Sequence, residues 1–144
     1  MMAEILAVCI SEEKGTQKTP VEKIELRVDH GIEGDAHAGK WHRQVSLLGD
    51  ESVDKLRAKL DIPLPPGVFA ENILTRGICL YELPIGTKLQ IGTAIGEVTQ
   101  IGKECHYGCA IRELAGDCVM PREGIFVKII SPGSAKAGDR VEIL

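Results

Sequence analysis

The stretch that decides the fold is GTKLQIGTAIGEVTQI, residues 86–101. A glycine turn leads into an apolar–polar alternation from Lys88 to Ile91, and Gly92 separates this run from a second one, Thr93 to Ile101. Alternation with a period of two places the apolar side chains on one face of a strand. The stretch therefore predicts two consecutive β-strands with Gly92 between them.

Further strands are predicted on both sides of this stretch, because short apolar or alternating runs recur between turn residues. These runs are Glu4 to Ile10, Val21 to Val28, Val45 to Leu48, Phe69 to Leu74, Ile125 to Ile130 and Arg140 to Leu144. Loops are predicted for 11–20 and 132–138, and a loop or a bulged strand for 29–39. The chain has 16 glycines in 144 residues, above the usual share of ~7%. The expected fold is mainly β, a small closed or nearly closed β-barrel with one or two short helices.

One helix is predicted after residue 49. Asp50 is its expected N-cap residue, and Val53, Leu56 and Leu60 fall on one apolar stripe. A short second helix is expected at Tyr107 to Ala115.

Composition limits the classes of function. Lys plus Arg number 17 and Asp plus Glu 21, which gives a net charge of −4 and argues against a nucleic-acid partner. No apolar run approaches the ~18 residues of a membrane span, and the N-terminus does not resemble a secretory signal. We expect a cytoplasmic protein with a single domain over 1–144, without a membrane partner. The sequence does not indicate an oligomeric state.

The five cysteines fall into two groups. Cys9 and Cys79 lie among apolar residues and are expected to be small buried side chains. Cys105, Cys109 and Cys118 lie within fourteen positions. An odd number of cysteines without a secretory signal argues against a disulfide framework.

Two kinds of chemistry suit the second group. The three thiols with His106 are candidates for a tetrahedral zinc site, although adjacent residues such as Cys105 and His106 point in opposite directions when extended. Alternatively, Lys103 and a following helix N-terminus would lower the pKa of the Cys105 thiol. A thiolate there would carry a persulfide sulfur or bind a soft transition metal.

A glycine-rich stretch, GIEGDAHAGKWHR at residues 31–43, is a second candidate site. Glycines such as Gly34 let backbone amides approach a ligand, and Lys40 and Arg43 would meet an anionic group. In the alternative interpretation the glycines only form turns, and Asp35 caps a backbone amide.

Two further candidates leave alternatives open. Glu71 and Asn72 would hold a loop or contact a ligand. Arg122 would bind phosphate, pair with Glu123 or Glu71, or remain in solvent.

Together these motifs resemble the MOSC domain family, named for the C-terminal domain of molybdenum cofactor sulfurase. The matching pieces, in order, are 31–39 with 44–48, then 69–73, 83–92, 99–105, 116–126 and 136–139. The resemblance implies a MOSC barrel, similar to the pyruvate-kinase barrel, and a role in molybdenum-cofactor or sulfur chemistry. Cys105 occupies the position of the cysteine that carries sulfur or ligates molybdenum in this family.

The resemblance also implies roles for other residues. Cys105, His37 and Asp35 are the expected catalytic residues, and Cys109 and Cys118 are additional candidate metal ligands. The expected cofactor-binding residues are Gly34, Lys40, Arg43, Glu71, Asn72 and Arg122.

The expected cofactor is molybdopterin with its molybdenum, with zinc as the alternative, and this chain has no room for a pyridoxal-phosphate domain. The expected activities are sulfur transfer or cofactor delivery to a molybdoenzyme, or reduction of N-hydroxylated compounds. They require a sulfur- or cofactor-donor protein, or an electron-donor protein. A structural zinc module or metal-free interaction module is the remaining alternative.

Overall fold

A computed structural model describes residues 2–14, 16–59, 63–102 and 123–144. Its strands are β1 (Met2–Ile10), β2 (Thr19–Val21), β3 (Ile24–Arg27), β4 (Gly31–Ile32), β5 (Val45–Gly49), β6 (Ile73–Arg76), β7 (Lys88–Ile91), β8 (Ala94–Ile101), β9 (Ile125–Ser131), β10 (Gly133–Ala135) and β11 (Arg140–Ile143). The helix α1 (Asp50–Arg57) follows β5, and a 3-10 turn covers Leu80–Glu82. None of the helices in these ranges is long and apolar enough to cross a membrane.

Seven strands form a closed barrel, as the sequence predicted. They pair in the order β11-β7-β8-β9-β5-β6-β1, and β1 pairs again with β11 to close the ring. Six of the seven pairings are antiparallel, whereas β5 and β6 run parallel. A parallel pair needs a crossover connection, and the segment containing α1 provides it. β2 extends the sheet beside β1, and β10-β3-β4 form a separate small sheet.

Two apolar cores lie on opposite faces of the barrel wall. Ile5, Leu47 and Ile73 belong to the larger core, whereas Leu48 and Leu74 belong to a smaller core that includes Val53 and Leu56 of α1. Every residue of β5 is buried, because the barrel interior covers one face of the strand and α1 covers the other. The helical stripe predicted from Val53 and Leu56 is therefore confirmed, while Leu60 lies outside the described residues.

Three local predictions were wrong. Asp50 is the first residue of α1 rather than its N-cap, which is Gly49 without a side-chain cap. The Asp50 carboxylate instead accepts hydrogen bonds from Arg57 at 2.8 Å and Arg76 at 2.5 Å. The expected strand from Phe69 to Leu74 begins only at Ile73, because residues 66–69 form a turn.

The third error concerns the loops expected at 11–20 and 132–138. The first contains Thr19 and Pro20 of β2, and the second contains all of β10. Each of these strands has three residues, too few to show an alternating pattern. The second helix predicted at 107–115 falls outside the described residues.

Candidate functional site

The loop after β4 carries most of the predicted site residues and is fixed by backbone hydrogen bonds. The Ala36 amide donates to the Ser11 carbonyl at 2.9 Å, and the Gly39 amide donates to the His30 carbonyl at 2.6 Å. Gly34 is exposed with a φ of +83°, and a Cβ built there would meet no atom within 4 Å. Its backbone is therefore open to a ligand.

A cluster of charged and polar side chains lies beneath this loop. The Lys18 Nζ lies 2.8 Å from Asp35 Oδ1, and neither side chain is exposed to solvent. Asp35 also accepts hydrogen bonds from the backbone amides of Ser11 and His37, both at 3.1 Å. Lys18, Asp35, Ser11 and His37 form what we call the buried charge cluster. Asp35 caps backbone amides, as one interpretation of the sequence predicted.

His37 connects this cluster to the outer part of the loop. Its Nδ1 lies 3.1 Å from Lys18 Nζ, and its carbonyl accepts a hydrogen bond from Trp41 Nε1 at 2.7 Å. The rings of His37 and Trp41 are nearly parallel, at 5°, with centroids 6.3 Å apart. Lys14 Nζ lies 4.9 Å from the centre of the Trp41 ring, a distance suited to a cation–π contact.

The end of the loop is attached to the end of β8. Gln100 Oε1 lies 3.0 Å from both Arg43 Nε, which donates to it, and His42 Nε2. Thr99 Oγ1 donates to the His42 carbonyl. Because Gln100 precedes Cys105 by five positions, these contacts place the cationic residues of the loop beside the strand that leads toward Cys105.

Glu71 is buried away from solvent, with 1% of its surface exposed. Its two carboxylate oxygens accept hydrogen bonds from the backbone amides of Gly67 at 2.9 Å and Phe69 at 3.1 Å. Burial raises the pKa of Glu71, although these amide hydrogen bonds oppose the rise. Its contacts match the loop-holding alternative, and they explain the turn at 66–69.

Asn72 is also buried and joins three segments of the fold. Its Oδ1 accepts from the Ser46 amide at 3.0 Å, and its Nδ2 donates to the Cys9 carbonyl at 3.0 Å. The Cys9 thiol is buried as predicted. Burial, reinforced by the Glu71 carboxylate, raises the pKa of Cys9 to about 12, so this thiol stays protonated.

Cys79 differs from its prediction because it is exposed. It follows β6 at the rim of a cavity of about 290 Å³, which Lys55, Tyr81 and Glu123 also line. The Glu123 carboxylate accepts hydrogen bonds from Ser52 at 2.7 Å and Lys55 at 2.9 Å. The apolar neighbours of Cys79 in the sequence, Ile78 and Leu80, are both buried in its place.

The structure thus brings Asp35 and His37 together in the buried charge cluster. It places His42 and Arg43 against the end of β8. Lys40 is exposed. Cys105, Cys109, Cys118 and Arg122 lie outside the described residues. Within the described ranges, no group of three His, Cys, Asp or Glu residues is arranged to hold a metal ion. The catalytic, cofactor-binding and metal assignments of the individual residues stay predictions.

Sequence reasoning missed Lys18 and Gln100. Lys18 lies in a polar stretch that was predicted as a loop, and nothing in the local pattern distinguishes it from an exposed lysine. Gln100 belongs to a motif that supported the family resemblance, but its polar side chain in an alternating strand was assigned no contact.

Comparisons with known proteins agree with this architecture. The family model for the MOSC domain matches residues 34–142, whereas no curated protein matches the sequence. The YuaD protein from Bacillus subtilis has a similar structure, with a TM-score of 0.81 at 19% identity, over 99% of this chain and 96% of that chain.

Two YiiM proteins also have similar structures. The one from Geobacillus stearothermophilus gives a TM-score of 0.78 at 18% identity, covering 99% of this chain and 75% of that chain. The one from Escherichia coli gives 0.67 at 20% identity, covering 100% of this chain and 70% of that chain. At these identities the similarity establishes the fold, and the family model establishes the family. The chain belongs to the MOSC domain family, which is associated with binding of the molybdenum cofactor.

Proposed function

We propose that this chain binds the molybdenum cofactor, and that Cys105 acts as the metal ligand or as the carrier of a persulfide sulfur. The observation that carries the proposal is the attachment of His42 and Arg43 to Gln100. This attachment holds the guanidinium of Arg43 at the end of β8, the strand that ends four residues before Cys105 in the sequence. Family membership supplies the expected class of ligand.

The residues of the loop fit an anionic cofactor. Lys40 is exposed and Arg43 is partly exposed, and both carry donors suited to a phosphate group. Gly34, earlier in the same loop, has open space around its backbone. The exposure of these two cationic side chains, in a protein whose net charge is −4, supports binding of an anionic group such as the phosphate of a pterin cofactor.

The remaining residues would have distinct parts in this function. Bound molybdenum would supply two-electron redox chemistry. Lys40 and Arg43 would hold the phosphate, and the Cys105 thiolate would be the soft ligand or sulfur carrier. Asp35 would act by fixing the loop, since its carboxylate already accepts hydrogen bonds from Lys18 and from two backbone amides.

Two activities follow from this proposal, and each requires a partner. As a carrier, the protein would accept sulfur or cofactor from a donor protein and pass it to a molybdoenzyme. As an enzyme, it would reduce N-hydroxylated compounds with electrons from a separate electron-donor protein. Turnover of an N-hydroxylated base in the presence of a reduced electron donor would distinguish the enzyme from the carrier.

The proposal is tested by the metal and pterin content of protein purified without oxygen from cells that make the cofactor. We expect near-stoichiometric molybdenum and pterin in the wild type, loss of the metal in Cys105→Ser, and retention of both in the matched control Cys79→Ser. Cys79 is exposed, so its replacement leaves both cores intact.

Other outcomes would identify the alternatives. Zinc without pterin, lost only when Cys105, Cys109 and Cys118 are all replaced, would contradict the proposal in favour of a structural zinc module. Protein without metal or pterin would contradict cofactor binding. Failure to trap a persulfide on Cys105 would then also reject its role as a sulfur carrier.

A further inference from the structure

The hydrogen atoms of the buried charge cluster can be assigned one by one. A lysine ammonium has three donors and no acceptor. Lys18 Nζ has three acceptors within reach: Asp35 Oδ1 at 2.8 Å, Ser11 Oγ at 3.0 Å and His37 Nδ1 at 3.1 Å. The Ser11 hydroxyl donates its own hydrogen to the Glu13 carbonyl at 3.0 Å. Its oxygen is therefore an acceptor toward Lys18.

The charge state of the cluster follows from the same contacts. The Asp35 carboxylate receives the Lys18 ammonium and two backbone amides, which favour its ionised form. An ionised Asp35 with no exposed side-chain surface requires the ammonium beside it. Lys18 therefore keeps all three hydrogens, and the one directed at His37 needs a lone pair on Nδ1.

We infer that Lys18 is a positioning residue for His37, which it holds as a neutral imidazole with the proton on Nε2. The Asp35 Oδ2 lies 3.8 Å from His37 Nδ1, which is too far for a hydrogen bond. Asp35 therefore acts on the ring through Lys18. The adjacent Asp35 and His37 are not an Asp–His dyad, although their proximity in the sequence suggests one.

This tautomer determines what His37 offers to a ligand. Nδ1 accepts from Lys18 and Nε2 carries a hydrogen, so the second ring nitrogen is a hydrogen-bond donor. It does not present a lone pair to a metal or a base to an acid. The contact of His37 with a bound cofactor rests on the proposed function, whereas the tautomer is a property of the ligand-free protein. A failure of the tautomer assignment is therefore distinguishable from a failure of the proposed cofactor binding.

The test is a long-range ¹H–¹⁵N spectrum of the wild-type protein labelled at histidine, with no ligand added and above neutral pH. The His37 resonances are identified by their loss in His37→Gln. We expect a pyridine-type shift at Nδ1 and a pyrrole-type shift at Nε2. The opposite pattern, averaged nitrogen shifts or a doubly protonated ring would overturn the inference.

Two variants test whether Lys18 is the cause. In Lys18→Met the His37 nitrogens are expected to move toward averaged shifts. In the matched control Ser11→Ala, which removes another acceptor of the same ammonium, the tautomer is expected to stay fixed. A folded Lys18→Met protein that keeps the fixed tautomer would contradict the role of Lys18. If Lys18→Met does not fold, the wild-type spectrum still decides the inference.

Discussion

Two groups of ion pairs in this molecule differ in their exposure to water. In the buried charge cluster, neither Lys18 nor Asp35 has any exposed side-chain surface. In the second group, which we call the surface charge cluster, Asp50 and Asp54 of α1 pair with Arg57 and with Arg76 of β6. Asp50 is 10% exposed there, but Arg76 is 47% and Asp54 51% exposed.

The difference shows what each cluster contributes. Removing two charges from water costs several kcal/mol per ion, so a buried pair is weak evidence for stability. The Lys18–Asp35 pair lies under the candidate site and sets the hydrogen bonding of His37, which indicates a role in organising the loop. The surface charge cluster joins α1 to β6 through two partly exposed arginines, which satisfy the buried carboxylate of Asp50, a residue that does not cap the helix.

The largest effect is expected at the buried charge cluster. Lys18→Met should lower the free energy of unfolding by about 3–5 kcal/mol, because it leaves the Asp35 carboxylate buried without its cation. Urea denaturation followed by Trp41 fluorescence measures the change. The double variant Lys18→Met/Asp35→Asn should recover part of the loss, since it removes the unpaired charge. A Lys18→Met protein as stable as the wild type would contradict the account of this cluster.

A smaller effect is expected in the surface charge cluster. Asp50→Asn should cost about 1 kcal/mol, since it weakens charged hydrogen bonds to two arginines that are each partly exposed to solvent. Asp54→Asn is the matched control, because Asp54 contacts the same two arginines from an exposed position. Its effect should be smaller than that of Asp50→Asn. Equal losses in the free energy of unfolding would show that the burial of Asp50 does not make its contribution larger than that of Asp54.

The smallest effect concerns the pH dependence of stability, which should have opposite signs at Glu71 and Asp50. Burial raises the pKa of Glu71 above its ordinary 4.5. Its stabilising contribution is therefore complete below about 4.5 and is lost as pH rises through the raised pKa. Glu71→Gln should remove this decline from the free energy of unfolding measured against pH.

Asp50 should act in the lower pH range. Burial alone would raise its pKa, but hydrogen bonds from Arg57 and Arg76 outweigh burial and lower the pKa below its ordinary 3.8. The stabilising contribution of Asp50 is thus present above about 3.8 and lost as pH falls through the lowered pKa. Asp50→Asn should flatten that part of the profile only. If Asp50→Asn changed the profile in the range assigned to Glu71, or Glu71→Gln changed it in the range assigned to Asp50, the assignment of the two ranges to these residues would be contradicted.

The barrel could be predicted from sequence because its strands have buried faces with a period of two. Lys88 to Ile91 alternates, whereas Val45 to Leu48 is mostly apolar because its strand is buried on both faces, and both runs are strands. The strands β2 and β10 were missed because three residues do not establish a period. The prediction that Asp50 caps the helix was wrong because its carboxylate binds two arginines instead of the helix amides, and one of these arginines is 26 positions away.

The candidate site was less predictable, since it depends on contacts between distant segments. The loop at 31–43 was found from its glycines and charges. The burial of Lys18 depends on Asp35, 17 positions away, and the role of Gln100 depends on His42 and Arg43, more than 50 positions away. No local pattern encodes such pairs.

Binding of the molybdenum cofactor is tested most directly by anaerobic titration of the ligand-free protein with the cofactor, with the fluorescence of Trp41 as the readout. Trp41 is the single tryptophan and lies in the loop between His37 and Arg43, so its emission reports the proposed site. We expect the emission of Trp41 to change until about one equivalent of cofactor has been added, and the protein to retain the cofactor on gel filtration. In Arg43→Ala the change in emission should be weaker. Unchanged emission with no cofactor retained would contradict binding of the cofactor.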